Sequence, residues 1–282
     1  MKWQDGREGE VEDRRGLTTG HYVGGGGVAV VIIALIGYFF FGIDPSRILG
    51  SADSVTTEQV SGDQTSLSEP TDEAGKFSAT IYASADDTWA AIFAKEGKPY
   101  HKPKMVLYTG GTGTACGQGQ SAMGPFYCPE DESIYLDTDF FDTLDHQLGA
   151  PGDFAKSYVI AHEFGHHIQK LLGVSDSVSQ QEQRLSEKGA NALSVKLELQ
   201  ADCYAGVWAQ QSNAKMNWIQ AGDIDEALNA AAAVGDDTLQ KETQGTVVPD
   251  SFTHGTSAQR QHWFKAGYDS GDPAACDTFG AG

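Results

Sequence analysis

"VIAHEFGHHIQKLLG", residues 159–173, sets His162 and His166 four apart, with Glu163 between them and His167 directly after. The apolar positions around them recur at helical spacing, and on a helix residues four apart share a face. Two imidazoles on one face can bind one metal ion, and a glutamate beside them is free to move a proton. His167 is turned about 100° away from that face, so the reading leaves it structural or solvent-exposed.

A metal with two histidine ligands needs a third protein ligand if one position is to stay open for water. "LSVKLELQADCYAGVWA", residues 193–209, offers Glu198 and Asp202, again four apart on a helix. Its apolar neighbours Leu197, Leu199, Tyr204 and Val207 would pack it against the first helix. Glu198 is the expected third ligand, and Asp202 the acceptor that orients a histidine ring. Ligand types of this kind favour one catalytic Zn2+. A metzincin extension would need Gly at 169 and His at 172, where this chain has Gln169 and Leu172.

"HEFGH" followed by "ELQAD" resembles the gluzincin arrangement of HExxH and ExxAD, in which the Glu ligates zinc and the Asp supports it. Together with "TACGQGQSAMGPFYCP", "GDFAKSYVIAHEFGHHIQ", "GDIDEALNAA" and "VVPDSFTHGTSAQR", the chain is similar to the bacterial neutral zinc metallopeptidases over essentially its whole length. The resemblance implies a zinc-dependent endopeptidase that hydrolyses peptide bonds of polypeptides by a metal-activated water, with Glu163 as general base. "THGTSAQR" is also similar to a late Thr-His-Pro segment of the CAAX-prenyl endopeptidases, with Arg six residues after the His. Here His254 and Arg260 keep that spacing and Gly255 stands in place of the Pro. His254 is the expected donor to an oxyanion, and Arg260 the expected partner of Glu198 or Asp202. In many zinc peptidases an edge strand ahead of the metal helix receives the substrate, a role expected here of "SIYLDTDFF", residues 133–141. The competing function is a catalytically silent, zinc-containing binding or chaperone-like module.

The chain has 282 residues and a net charge of −20, which argues against a nucleic-acid partner. From Gly16 to Ile43 there is no Asp, Glu, Lys or Arg, and "VAVVIIALIGYFFFGI" from Val28 is almost wholly apolar. With the preceding glycines, residues 24–43 are long enough for one transmembrane helix. A cleaved signal peptide is disfavoured by Asp5, Glu8, Glu10, Glu12 and Asp13 ahead of the run. Lys2, Arg7, Arg14 and Arg15 precede it, whereas Arg47 is the only basic residue from Asp44 to Gly75. The positive-inside rule then predicts a single-pass protein of the bacterial inner membrane, with residues 1–23 cytoplasmic and the C-terminal domain periplasmic or extracellular. Residues 44–76, rich in Ser, Thr, Asp, Glu and Gln, read as a flexible linker.

In an oxidising compartment Cys116, Cys128, Cys203 and Cys276 can form disulfides. Four cysteines allow three connectivities. Proximity favours Cys116 with Cys128, which leaves Cys203 with Cys276; four free thiols are the competing state. The metallopeptidase domain, residues 77–282, is expected to be α+β: mostly helical, zincin-like, with a small sheet. Helices are expected from Asp86 or Asp87 to Gly97, over Asp153–Leu172, Asn191–Gln211 and Asp223–Val234, and over Thr256–Tyr268. Strands are expected at 104–109 and 133–141, with a long glycine-rich loop between them. Nothing in the sequence sets an oligomeric state.

Overall fold

The computed structural model describes residues 1–15, 70–120 and 124–280. They form an α+β fold, mostly helical with a small sheet. In chain order the elements are β1 (Glu12–Asp13), α1 (Glu73–Glu96), β2 (Lys104–Tyr108), β3 (Gly111–Thr114), β4 (Gly117–Gln120), β5 (Phe126–Cys128) and β6 (Ser133–Asp137). The helices α2 (Phe140–His146), α3 (Asp153–Leu171), α4 (Val174–Glu182), α5 (Glu187–Met216), α6 (Asp223–Ala233), α7 (Asp236–Gln244) and α8 (Ser257–Ser270) follow.

Helix α1 begins inside the stretch that composition marks as a linker. Asp72 caps it by accepting from the Gly75 amide at 2.9 Å, and Gly97 ends it at φ 67°, a left-handed conformation that suits glycine. The sequence reading starts this helix at Asp86 or Asp87. Those two acids are instead mid-helix, where they pair with Tyr100 and Arg7. Helices α2, α4 and α7 also go unread in the sequence, because each is short and mostly polar.

The sheet runs in the order β1-β2-β6-β5, with β1, β2 and β6 parallel and β5 antiparallel to β6. Strand β6 is therefore interior and buried along its length. The expectation that "SIYLDTDFF" is an edge strand fails: its alternation of residue types does not reflect a solvent face. Among the described residues the two outer strands are β1 and β5, and β5 is the one beside the metal helix. The glycine-rich loop holds the β3–β4 hairpin.

Residues 1–15 belong to the same fold rather than forming a separate segment ahead of it. Trp3 is buried edge-on against Phe77 at 5.3 Å, and β1 pairs with β2 so that Glu12 faces Val106 and Asp13 faces Leu107. The expected transmembrane helix, residues 24–43, lies outside the described residues. Among the described residues, no helix is long and apolar enough to cross a membrane.

Both disulfides have the pairing that proximity favours, Cys116 with Cys128 and Cys203 with Cys276. The second ties α5 to the C-terminal segment, beside a contact that only glycine permits. A Cβ placed on Gly267 of α8 would stand 1.9 Å from the Cys203 carbonyl oxygen of α5. This close crossing brings α8, and Arg260 with it, onto the helix that carries Glu198 and Asp202.

Gly→Ala in a helix interior normally stabilises by about 1 kcal/mol. Gly267→Ala is expected to do the reverse, lowering stability by about 2 kcal/mol or more, because the clash is with backbone that cannot rotate away. Urea unfolding of the variant checks this; unchanged or increased stability would show that the helices have room to separate.

Candidate metal centre

Helices α3 and α5 cross where both are small. A Cβ on Gly165, the fourth residue of "HEFGH", would meet Ala201 of "ELQAD" with its carbonyl oxygen at 3.0 Å. The residues between the metal-binding positions thus set the helix separation, and that separation sets the ligand distances.

His162 and His166 direct their Nε2 atoms at each other, 3.2 Å apart. Glu198 adds a carboxylate, with Oε2 at 3.1 Å from His162 Nε2 and Oε1 at 3.4 Å from His166 Nε2. Among the described residues these three form the one group able to hold a metal ion. Two nitrogens bound to one zinc at about 2.05 Å and a tetrahedral angle stand about 3.3 Å apart, so the donor set fits zinc closely.

Each imidazole is held through its other nitrogen. His162 Nδ1–H donates to Asp202 Oδ1 at 2.9 Å. His166 Nδ1–H donates to Gln169 Oε1 at 2.9 Å, and the Gln169 amide donates to the Leu197 carbonyl at 2.6 Å and to Gln200 at 3.2 Å. These bonds turn both Nε2 atoms toward Glu198. Sequence reasoning used Gln169 only to exclude the metzincins, and so missed its place as the partner of His166.

Asp202 is fully buried and has a guanidinium to match. Arg260 Nε and Nη2 donate to its two oxygens at 2.8 and 2.9 Å, and Tyr158 Oη donates to Oδ1 at 2.5 Å. Of the two partners the sequence offered to Arg260, the guanidinium meets Asp202. Tyr158 was not singled out, although it stands four residues before His162 on the same helix face. Burial alone would raise the Asp202 pKa; Arg260 and His162 outweigh it and hold the group below its ordinary range. Burial would likewise lower His162, but hydrogen bonds to Asp202 and Glu198 raise it to about 10. Glu198 lies well below its ordinary range because His166, His162 and His254 outweigh its burial.

Glu163 is buried beside the ligands without joining them, and burial lifts its pKa to about 7. The backbone amide of Tyr127, on the unpaired edge strand β5, donates to its carboxylate. The Tyr127 hydroxyl donates to His167 Nδ1 at 3.0 Å, and His167 Nε2–H donates to the His101 carbonyl at 2.8 Å. The third histidine of the motif is thus a buried tie between the metal helix and strand β5.

His254 sits in the turn before α8, whose start is fixed by a capping box between Thr256 and Gln259. The turn is organised by Asp236, a buried residue at the start of α7 that the sequence reading passed over. One oxygen of Asp236 accepts from the amides of Thr253, His254 and Gly255 at 2.8, 2.7 and 2.9 Å; the other accepts from His254 Nδ1 at 3.2 Å. Burial would lower the His254 pKa, but the Asp236 hydrogen bond and the nearby charge of Glu198 raise it.

The family model described as "Putative neutral zinc metallopeptidase" matches residues 1–279, and the chain belongs to that family. It is 50% identical to "Uncharacterized protein YpfJ" of Escherichia coli over 99% of both chains. It is 42% identical to "Uncharacterized protein Rv2575" of Mycobacterium tuberculosis and to "Uncharacterized protein Mb2605" of Mycobacterium bovis, over 85% of this chain and 84% of theirs. No solved structure matches it.

Gln169→Ala and Asp202→Asn should each weaken zinc binding by about 10- to 100-fold while leaving one site per chain. Competition with a chromogenic chelator measures this. Unaltered affinity in Gln169→Ala would show that His166 needs no orienting partner.

Proposed function

We propose that this chain is a zinc-dependent endopeptidase acting on polypeptides outside the cytoplasm of a bacterium. The observation that carries the reading is the division of labour between two adjacent carboxylates. Glu198 converges with two imidazole nitrogens, whereas Glu163, buried and raised to about 7, stands beside that group without entering it. A metal site with a purely structural role gains nothing from a buried carboxylate kept out of the ligand set.

The ligands would be His162, His166 and Glu198, and zinc held by them supplies Lewis acidity, acidifying water and polarising a peptide carbonyl. Glu163 takes the proton of the attacking water and passes it to the leaving amine, a task suited to a group whose pKa lies near the working pH. His254, whose Nδ1 lies 3.0 Å from Thr253 Oγ1 and 3.2 Å from Asp236 Oδ1, is held in its turn as a donor to the oxyanion of the tetrahedral intermediate. Asp202 and Gln169 keep the two ligand rings from rotating, and Arg260 holds Asp202. The unpaired edge of β5, whose Tyr127 amide already meets Glu163, offers an extended substrate main-chain hydrogen bonds next to the base. The two disulfides support an oxidising compartment, and the apolar run within residues 24–43 supports attachment to a membrane.

Glu163→Gln should retain stoichiometric zinc and lose about 10²- to 10⁴-fold in kcat on an unfolded protein substrate. Full activity in this variant would leave the silent zinc module as the better description. His254→Phe should keep fold and zinc and lose about 10²- to 10³-fold in kcat with little change in KM; unchanged turnover would remove the oxyanion role.

Activity should also fall on the acid side as Glu163 takes up a proton, because the base must be ionised to accept one. Burial raises the group from 4.5 to about 7, and a bound dication pulls it back down. The midpoint of the acid limb of kcat/KM is therefore expected between those two values. A profile flat from about pH 4 to about 8 would show that Glu163 is not the base.

A further inference from the structure

We propose that residues 1–15 lie on the same side of the membrane as the metal-binding domain, which excludes a single crossing between Arg15 and Pro70. This goes beyond the peptidase reading and does not depend on it. Its ground is how thoroughly the first fifteen residues are built into the domain. The Trp3 indole is buried and donates to Asp153 Oδ2 at the start of α3 at 3.1 Å. The Lys2 amide donates to the Trp218 carbonyl at 2.9 Å, and that of Gly9 to the Ala79 carbonyl of α1 at 3.0 Å. Val11 is buried in the core, β1 closes one edge of the sheet, and the Arg14 amide extends the pairing to the Leu107 carbonyl at 2.7 Å.

Where the described chain breaks off after Arg15 and resumes at Pro70, the two ends meet. Arg15 binds Asp13 and Asp72 together, with Nη1 and Nη2 at 2.9 and 2.5 Å from the Asp72 oxygens. The intervening chain therefore leaves and returns at one point of the domain surface. A single crossing would put Arg15 and Asp72 on opposite faces of a hydrocarbon layer about 30 Å thick, and would pull β1 from the sheet and Trp3 from the core. Two crossings by helix would need about 40 apolar residues, and the run from Gly24 to Ile43 supplies 20. The chain that follows cannot serve as the second pass, since Asp53, Glu58, Asp63 and Glu69 are spread through it.

The positive-inside reading gave the opposite answer because it counts basic residues without their partners. Arg7 is paired with Asp87, Arg14 with Glu12, and Arg15 with Asp13 and Asp72. Three of the four basic residues ahead of the apolar run are thus engaged in the fold instead.

The test uses the full chain in intact cells, with all four native cysteines in disulfides, and one added cysteine at a time. Gln4→Cys reports on the N-terminal residues and Lys98→Cys on the domain; both positions are exposed. Each is treated with a membrane-impermeant maleimide before and after lysis. The proposal requires the two cysteines to behave alike, both labelled in intact cells or both protected until lysis; the second pattern would place the whole fold in the cytoplasm. Labelling of one in intact cells and of the other only after lysis would overturn it.

Discussion

Asp202 is the point on which the site turns. Its carboxylate is fully buried and accepts from Arg260, Tyr158 and His162, so one side chain on α5 ties together α3, α5 and α8. A buried ion pair of this kind is poor evidence of stability, because apolar residues of the same volume commonly do as well. What an apolar cluster cannot do is fix the rotation of an imidazole. Arg260 makes a buried anion tolerable at that position, and the anion then sets which nitrogen of His162 faces the metal-binding group. The glycines at 165 and 267 serve the same end, since they let the three helices approach closely enough for these bonds to form.

The parts of the site legible in the sequence are those encoded by one turn of helix. His162 and His166 are four apart, as are Glu198 and Asp202, and each pair is brought to one face by helical geometry alone. Facing the two helices was a reasonable inference from their apolar neighbours. Tyr127 and Asp236 were out of reach because their partners are set by packing, whereas Gln169, three residues after His166 on the same helix, was within helical reach. Nothing in "GDDT" announces that Asp236 will organise a turn 17 to 19 residues later. Tyr158 is different: its i, i+4 relation to His162 was available, and a tyrosine in an apolar run reads as ordinary core until Asp202 is placed beside it.

The same contrast holds for the fold. Long amphipathic helices announce themselves by period, while a two-residue strand such as β1 carries no period at all. Its register against β2 joins positions 94 apart in the chain. Composition misled in a related way at α1, where Asp72 and Glu73 look like more of the polar stretch before them and in fact start a helix whose next turns are buried. Strand β6 shows the opposite error, since apparent alternation in "SIYLDTDFF" suggested an edge where both flanks are paired. The edge that matters is three residues of β5, held by the Cys116–Cys128 disulfide and by the hydroxyl of Tyr127 on His167.

Charge around the site gives the arrangement its sense. Four acids converge: Asp202, Glu198, Glu163 and Asp236. Arg260 answers one of them, and Asp236 and Glu198 raise His254 toward its charged form. Negative charge is left in surplus among the protein groups. The surplus is visible at His162, which hydrogen bonds to Asp202 and Glu198 raise to about 10 against its burial, so that it tends to hold a proton. A dication neutralises that surplus, and it must displace the proton on His162 to do so, which couples binding to pH. Asp236 belongs to this balance as much as to the turn it shapes. A cationic His254 next to a bound metal would repel it, and the Asp236 carboxylate offsets that repulsion where the two charges come close.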